Sequence, residues 1–101
     1  MEANKINIQS QLETITEFWS LKELAKVNNH AIKIFKLKGD FEMHKHDNGD
    51  KVLLIVEGTM FVEFADRTEE IKTGEFIVIP SGVEHKPYVK GEASALMFEQ
   101  L

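Results

Sequence analysis

The sequence predicts an all-β fold, a sandwich or small barrel, preceded by a short N-terminal helical segment. Three observations carry this reading. From His30 onward the apolar side chains alternate with polar ones, as in Ile32 and Ile34 against Lys33, a period of two that belongs to half-buried strands. Turn-forming groups, among them Gly39-Asp40, Asp47-Asn48-Gly49 and Pro80-Ser81-Gly82, punctuate the chain at the roughly eight-to-twelve-residue spacing of sandwiches and barrels. Before His30 the apolar spacing is helical instead.

In chain order, Ser10 followed by Glu13 resembles a capping box, and Leu12, Ile15, Phe18 and Trp19 share one helical face. A helix is expected over 9–17. Residues 20–27 suit a helix or a strand, with Asn28-Asn29 closing the piece. Residues 1–29 are thus read as an N-terminal packing segment and 30–101 as the barrel of a single domain. Residues 31–39 read as a half-buried strand with a lysine edge, Lys33, Lys36 and Lys38. Phe41 to His46 is a second extended piece, and 50–57 is a strand ended by Gly58. Residues 59–72 form a hairpin around Asp66-Arg67, 75–80 is a strand, 85–89 a short strand, and 93–99 closes the chain. The strand over 52–57 is apolar on both faces, Leu53 and Ile55 on one, Val52, Leu54 and Val56 on the other. A simple two-layer sandwich shows water one face of each sheet. The second face therefore needs cover from the N-terminal segment or from another subunit, and a symmetric homodimer is expected.

Composition narrows the function classes. The 101 residues suffice for one core. Cys is absent, which excludes disulfides, thiolate metal sites and thiol nucleophiles and suits a cytoplasmic protein. The start lacks the basic and apolar regions of a secretory signal. With 12 Lys and Arg against 17 Asp and Glu, the net charge is −5, which argues against nucleic acid and anionic membranes as partners. A small-molecule ligand or substrate is the expected partner.

Three histidines carry the chemistry. Successive strand residues face opposite ways, so His44 and His46 project from one face about 6.5–7 Å apart. His85 follows the Pro80-Ser81-Gly82 turn, which aims it back into the barrel. Neutral imidazoles suit Zn, Fe, Ni, Mn or Cu alike. The expected cofactor is one divalent transition metal held by His44, His46 and His85; the plainer alternative is three polar histidines in a wet pocket. His30 has no such company and is read as a surface residue.

These residues resemble the cupin superfamily, more narrowly the small single-domain cupins of mannose-6-phosphate isomerase-like type. The first cupin motif is matched by Gly39, four residues, His44-Lys45-His46, four residues, Lys51, six residues and Gly58. The family has five residues in the first gap and glutamate where Lys51 stands. The second motif is matched at every spacing by Gly74, Pro80, Gly82 and His85, with Val89 where the less constant asparagine falls. The resemblance implies a double-stranded β-helix, the jelly-roll barrel, with His44, His46 and His85 as metal ligands and a missing fourth ligand. Cupins include dioxygenases, isomerases and sugar-binding domains, so fold does not select among them.

Lys51 is the departure that matters. At about 5 Å and an effective dielectric near 20, its repulsion of a divalent ion is several kcal/mol. Three resolutions are open: Lys51 is neutral in the pocket, it swings to the mouth to pair with Glu42 or Asp47, or the ion rests on three histidines. Glu42 shares the parity of His44 and His46 and is a candidate replacement ligand, whereas Asp50 has the wrong parity. Tyr88 is a candidate ligand contact. The functional expectation is a metal-dependent enzyme, dioxygenase- or isomerase-type, acting on a small organic substrate. Lys51 is then an anchor for an anionic substrate or a general acid/base. The alternative is a non-catalytic sugar- or metabolite-binding cupin without metal.

Overall fold

A computed structural model describes residues 3–101. Its elements are α1 (Ile8–Leu12), β1 (Lys22–Val27), β2 (His30–Asp40), β3 (Lys51–Glu57), β4 (Thr59–Glu63), β5 (Thr68–Lys72), β6 (Phe76–Ile79) and β7 (Lys86–Gln100). The fold is the expected mostly antiparallel β structure with one short helix.

The strand order is β1-β2-β7-β3-β6, with β4 joined to β7 and β5 to β4. β7 is the organising strand. Expected as two separate strands, it runs unbroken for 15 residues. Its second half pairs with β3, from Lys51↔Glu99 to Glu57↔Ser94. Its first half pairs with β4, Phe61↔Tyr88 to Glu63↔Lys86. β2 runs along its other side, and the register jumps from Lys38↔Glu92 to Gly39↔Val89, leaving Lys90 and Gly91 as extra residues in β7. Such a bulge bends and twists a strand locally, which lets one strand serve two partners. Gly58, at φ +84°, is the kink between β3 and β4, which continue in one direction along β7; a Cβ there would lie 2.6 Å from the Glu92 carbonyl oxygen. Only glycine fits that approach.

Parity sorts the core into two layers. Inside the barrel lie Phe35, Leu37, Leu53, Ile55, Met60 and Val62 with their neighbours. Ile55, Met60 and Val62 are fully shielded from water, each worth roughly 1.5–3 kcal/mol of transfer free energy. On the outer face of β2, β7 and β3, Ile34 and Leu96 are covered by Leu12, with Ile8, Ile15, Leu54 and Val56 around them. The second apolar face of β3 is therefore covered in part by the N-terminal segment. Beyond that cover, Phe76 and Val78 remain 63% and 50% exposed on β6.

Several local expectations are corrected. The helix is confined to Ile8–Leu12, capped by Asn7, whose Oδ1 accepts from the Ser10 N–H at 2.9 Å. The β-branched run Thr14-Ile15-Thr16 is a poor helix former, and the chain leaves the helix there. Residues 22–27 resolve as strand, paired antiparallel to β2. β2 is not a lysine edge: it lies between β1 and β7, with Ala31, Phe35 and Leu37 buried inward and Ile34 buried outward. Lys36 instead reaches across to donate to the Ile15 carbonyl at 3.0 Å. Among the described residues no helix is long and apolar enough to cross a membrane.

Candidate metal centre

His44 and His46 lie in the connection between β2 and β3, which was expected as a strand and is held by a single bridge. His44 and His85 exchange both backbone hydrogen bonds, each at 2.9 Å. The Pro80-Ser81-Gly82 turn grips the other end of the connection. Gly82 N–H donates to the His46 carbonyl at 2.6 Å and Ser81 Oγ–H to the same oxygen at 3.2 Å. Asp50, on the wrong parity for a ligand, accepts from the Ser81 N–H at 2.9 Å and so ties the turn to the start of β3. The two motif segments thus hold each other through backbone, independent of any ion.

This brings the three rings together. Ring centroids are 4.7 Å apart for His44 and His46, 4.4 Å for His44 and His85, and 5.2 Å for His46 and His85. One nitrogen from each lies within 4.8 Å of the others. His44 Nδ1 is 2.7 Å from the Glu42 carbonyl oxygen and His85 Nδ1 is 2.9 Å from that of Val83. A carbonyl only accepts, so each Nδ1 carries the hydrogen, and Nε2 is the nitrogen through which the neutral ring binds a metal. Metal-binding histidines are oriented by such a bond on the far nitrogen. His46 has its pKa lowered to about 4 by burial, by Lys51 and by the other two imidazoles. His85, only 2% exposed, is lowered too, chiefly by burial. Both are neutral at pH 7. The donor set fits a divalent transition metal.

The histidines form the polar end of a cavity of about 360 Å³. Its walls include Trp19, Phe35, Leu37, Phe41, Met60 and Met97. Trp19, expected on a helical face, adopts φ +62° instead. Its indole N–H donates to the Lys38 carbonyl at 2.8 Å, and its ring packs on Phe41 at 4.9 Å. Lys51 also lines the cavity, from the inner face of β3.

Lys51 takes none of its expected partners. Its Nζ donates to Glu99 Oε1 at 2.5 Å, across the β3–β7 ladder. Glu99 Oε2 lies 2.8 Å from Lys33 Nζ, an ion pair without hydrogen-bond geometry. Burial works to raise the Glu99 pKa, but the two lysines outweigh it and hold the carboxyl below its ordinary value. Glu99 and Lys33 were missed from sequence. The signal was there for Glu99: it continues the inward parity of Ala93, Ala95 and Met97, where an acid needs a partner.

Two candidates fall away from the site. Glu42 is exposed, and its carboxylate is not among the clustered ligand atoms; its backbone carbonyl is what serves His44. Tyr88 has the parity opposite to the buried Pro87 and Val89, so it faces outward and stacks on Phe61 at 5.2 Å and 12°.

Comparison with known proteins accords with this geometry. The model of the cupin domain family Cupin_2 matches residues 32–99. A cupin-2 domain protein from Shewanella frigidimarina superposes with a TM-score of 0.93 at 34% identity, covering 95% of this chain and 94% of that one. Protein NMB1881 from Neisseria meningitidis gives 0.88 at 34%, covering 97% and 100%. Uncharacterized protein YdbB of Bacillus subtilis is 27% identical over 64 residues, 62% of this chain. The chain spans 57% of that relative's length. With most of its barrel matched and both motif segments clasped around three histidines, the chain belongs to the cupin domain family.

Proposed function

We propose that this cupin holds one divalent transition metal (Zn, Fe, Ni, Mn or Cu) through His44, His46 and His85 and acts on a small organic molecule. The observation that carries this is the set of three converging imidazoles, two of them anchored at Nδ1 with Nε2 left free. When bound, such an ion supplies Lewis acidity or a site for oxygen chemistry, the isomerase- and dioxygenase-type reactions of the sequence reading. The chain's own residues orient and enclose. The backbone clasp fixes the imidazoles, and Trp19, Phe41 and Met97 wall the cavity against water. Lys51 acts as a fixed positive charge, since Glu99 holds its ammonium, and not as a base.

A second reading is favoured by one observation: a cation stands where the family places its carboxylate ligand. On that reading the protein is a metal-free binding module. Metal analysis of protein purified without chelators separates the two. The test pairs wild type with the double variant Lys51→Glu/Glu99→Gln, in which the second change removes a carboxylate clash. Metal near one equivalent in wild type supports the first reading. Metal in the double variant alone supports the binding module, and none in either means that the histidines hold no ion. The proposal includes a cytoplasmic homodimer closing over Phe76 and Val78, for which sedimentation as a monomer at micromolar concentration is the contrary result.

A further inference from the structure

We infer that an organic anion completes this site: a small carboxylate with a one- or two-ring apolar body binds together with the metal, and each tightens the other. The inference rests on the metal-binding reading above and concerns what takes the place of the missing glutamate.

Charge is the first argument. Three neutral imidazoles remove none of a divalent ion's charge, and a glutamate would remove one unit. Among the described residues the cavity is lined by His44, His46, His85 and Lys51 as its strongly polar groups, and by no carboxylate. Glu99 does not make up the deficit. It stands between Lys33 and Lys51, so the row of two lysines and one carboxylate is itself net positive. An incoming anion meets positive charge from both the ion and this row, within walls where little water screens it.

Hydrogen bonding is the second argument. An ammonium has three N–H donors, and Glu99 takes one of those of Lys51. The others suit a carboxylate oxygen brought in by the ligand. Shape is the third. Leu53, Ile79, Pro87 and Met97 join the aromatic walls, and these offer no partners for the several hydroxyls of a sugar, whose burial without hydrogen bonds is costly. A cavity of about 150 Å³ accepts benzene, so about 360 Å³ accommodates one or two rings and a short acidic arm.

Linkage then requires reciprocity: if the anion raises metal affinity, the metal raises anion affinity by the same factor. The test titrates Zn²⁺ into chelator-stripped protein by calorimetry with phenylacetate, 3-phenylpropionate or 1-naphthoate, against phenylacetamide and phenethylamine as neutral and cationic controls. Zn²⁺ binding to each acid in buffer alone is subtracted. Trp19, the single tryptophan, lines the cavity and reports organic binding by fluorescence. The expected result is that at least one carboxylate raises Zn²⁺ affinity by about 5–150-fold, while the amide and amine do not. Lys51→Met should keep the metal and lose most of the carboxylate response. Lys51→Glu/Glu99→Gln should bind metal tightly with no carboxylate dependence. One Zn²⁺ per chain with equal affinity in every arm overturns the inference and leaves the metal reading intact. A carboxylate response undiminished in both variants overturns it as well. Absence of Zn²⁺ binding in all arms overturns both.

Discussion

A charged row and a histidine cluster both face the barrel interior, and they are handled in opposite ways. The Lys33–Glu99–Lys51 row is charged and closed on itself: every partner faces another across adjacent strands. The histidine cluster is open: His44 and His85 are anchored to backbone at Nδ1, and one nitrogen of each of the three rings converges on a cavity. A buried polar group without a partner is costly. One cluster meets that cost internally, and the other leaves room for a guest. The row is first a structural device, with Lys51 alone turned to the cavity, whereas the cluster is the site itself.

The largest effect expected from breaking this comparison is on the closed row. Glu99→Ala strands Lys51, only 6% exposed, and removal of one partner of a buried pair costs about 3–5 kcal/mol. Urea denaturation reads it, and a loss below about 1 kcal/mol would mean that the row is not structural. Replacing both partners, Lys51→Met with Glu99→Leu, should be neutral or stabilising by up to about 1–4 kcal/mol. A large loss in that double variant would show the charges to be indispensable to the fold.

The open cluster should behave the other way. His85→Gln is expected to remove metal binding while shifting the denaturation midpoint of the metal-free protein by far less than Glu99→Ala does. The smallest effect is on pH dependence. His46 and His85 bind protons more weakly in the folded chain than in the unfolded one. As pH falls from the ordinary histidine value of about 6.5 toward 4, the unfolded state therefore takes up more protons and metal-free stability falls. Glu99, held below its ordinary value, adds to the loss as pH drops further, below the usual carboxylate range. Urea midpoints at pH 7.5, 6 and 5 check the first window, and a midpoint unchanged from 7.5 to 5 would contradict the cause assigned to these shifts.

The same contrast explains what was legible in the sequence. The open cluster was readable because its spacing is local: His44 and His46 are two residues apart, and His85 sits at a fixed distance from a Pro-x-Gly turn. Strand alternation and turn chemistry marked most of the β elements and the doubly apolar β3. The pairing within the closed row was not readable, although the inward parity of Glu99 was, because it depends on the register of β7 against β3, with Lys51 and Glu99 48 residues apart in sequence. Lys51 was recognised as the departure, but its partner lay across a ladder that no local pattern encodes. The helix is present but ends early for a related reason: the spacing of Leu12, Ile15 and Trp19 is helical, yet Trp19 is claimed by the Lys36 and Lys38 carbonyls at 2.7 and 2.8 Å. Tertiary hydrogen bonds overrode local periodicity there.

The three histidines converge, and whether they hold an ion decides what the cavity can do. Calorimetric titration of Zn²⁺ into chelator-stripped wild type and His85→Gln tests it most directly, with circular dichroism verifying that the variant is folded. One Zn²⁺ per chain is expected in wild type and none in the variant. Equal binding by both proteins, or none by wild type, would contradict it.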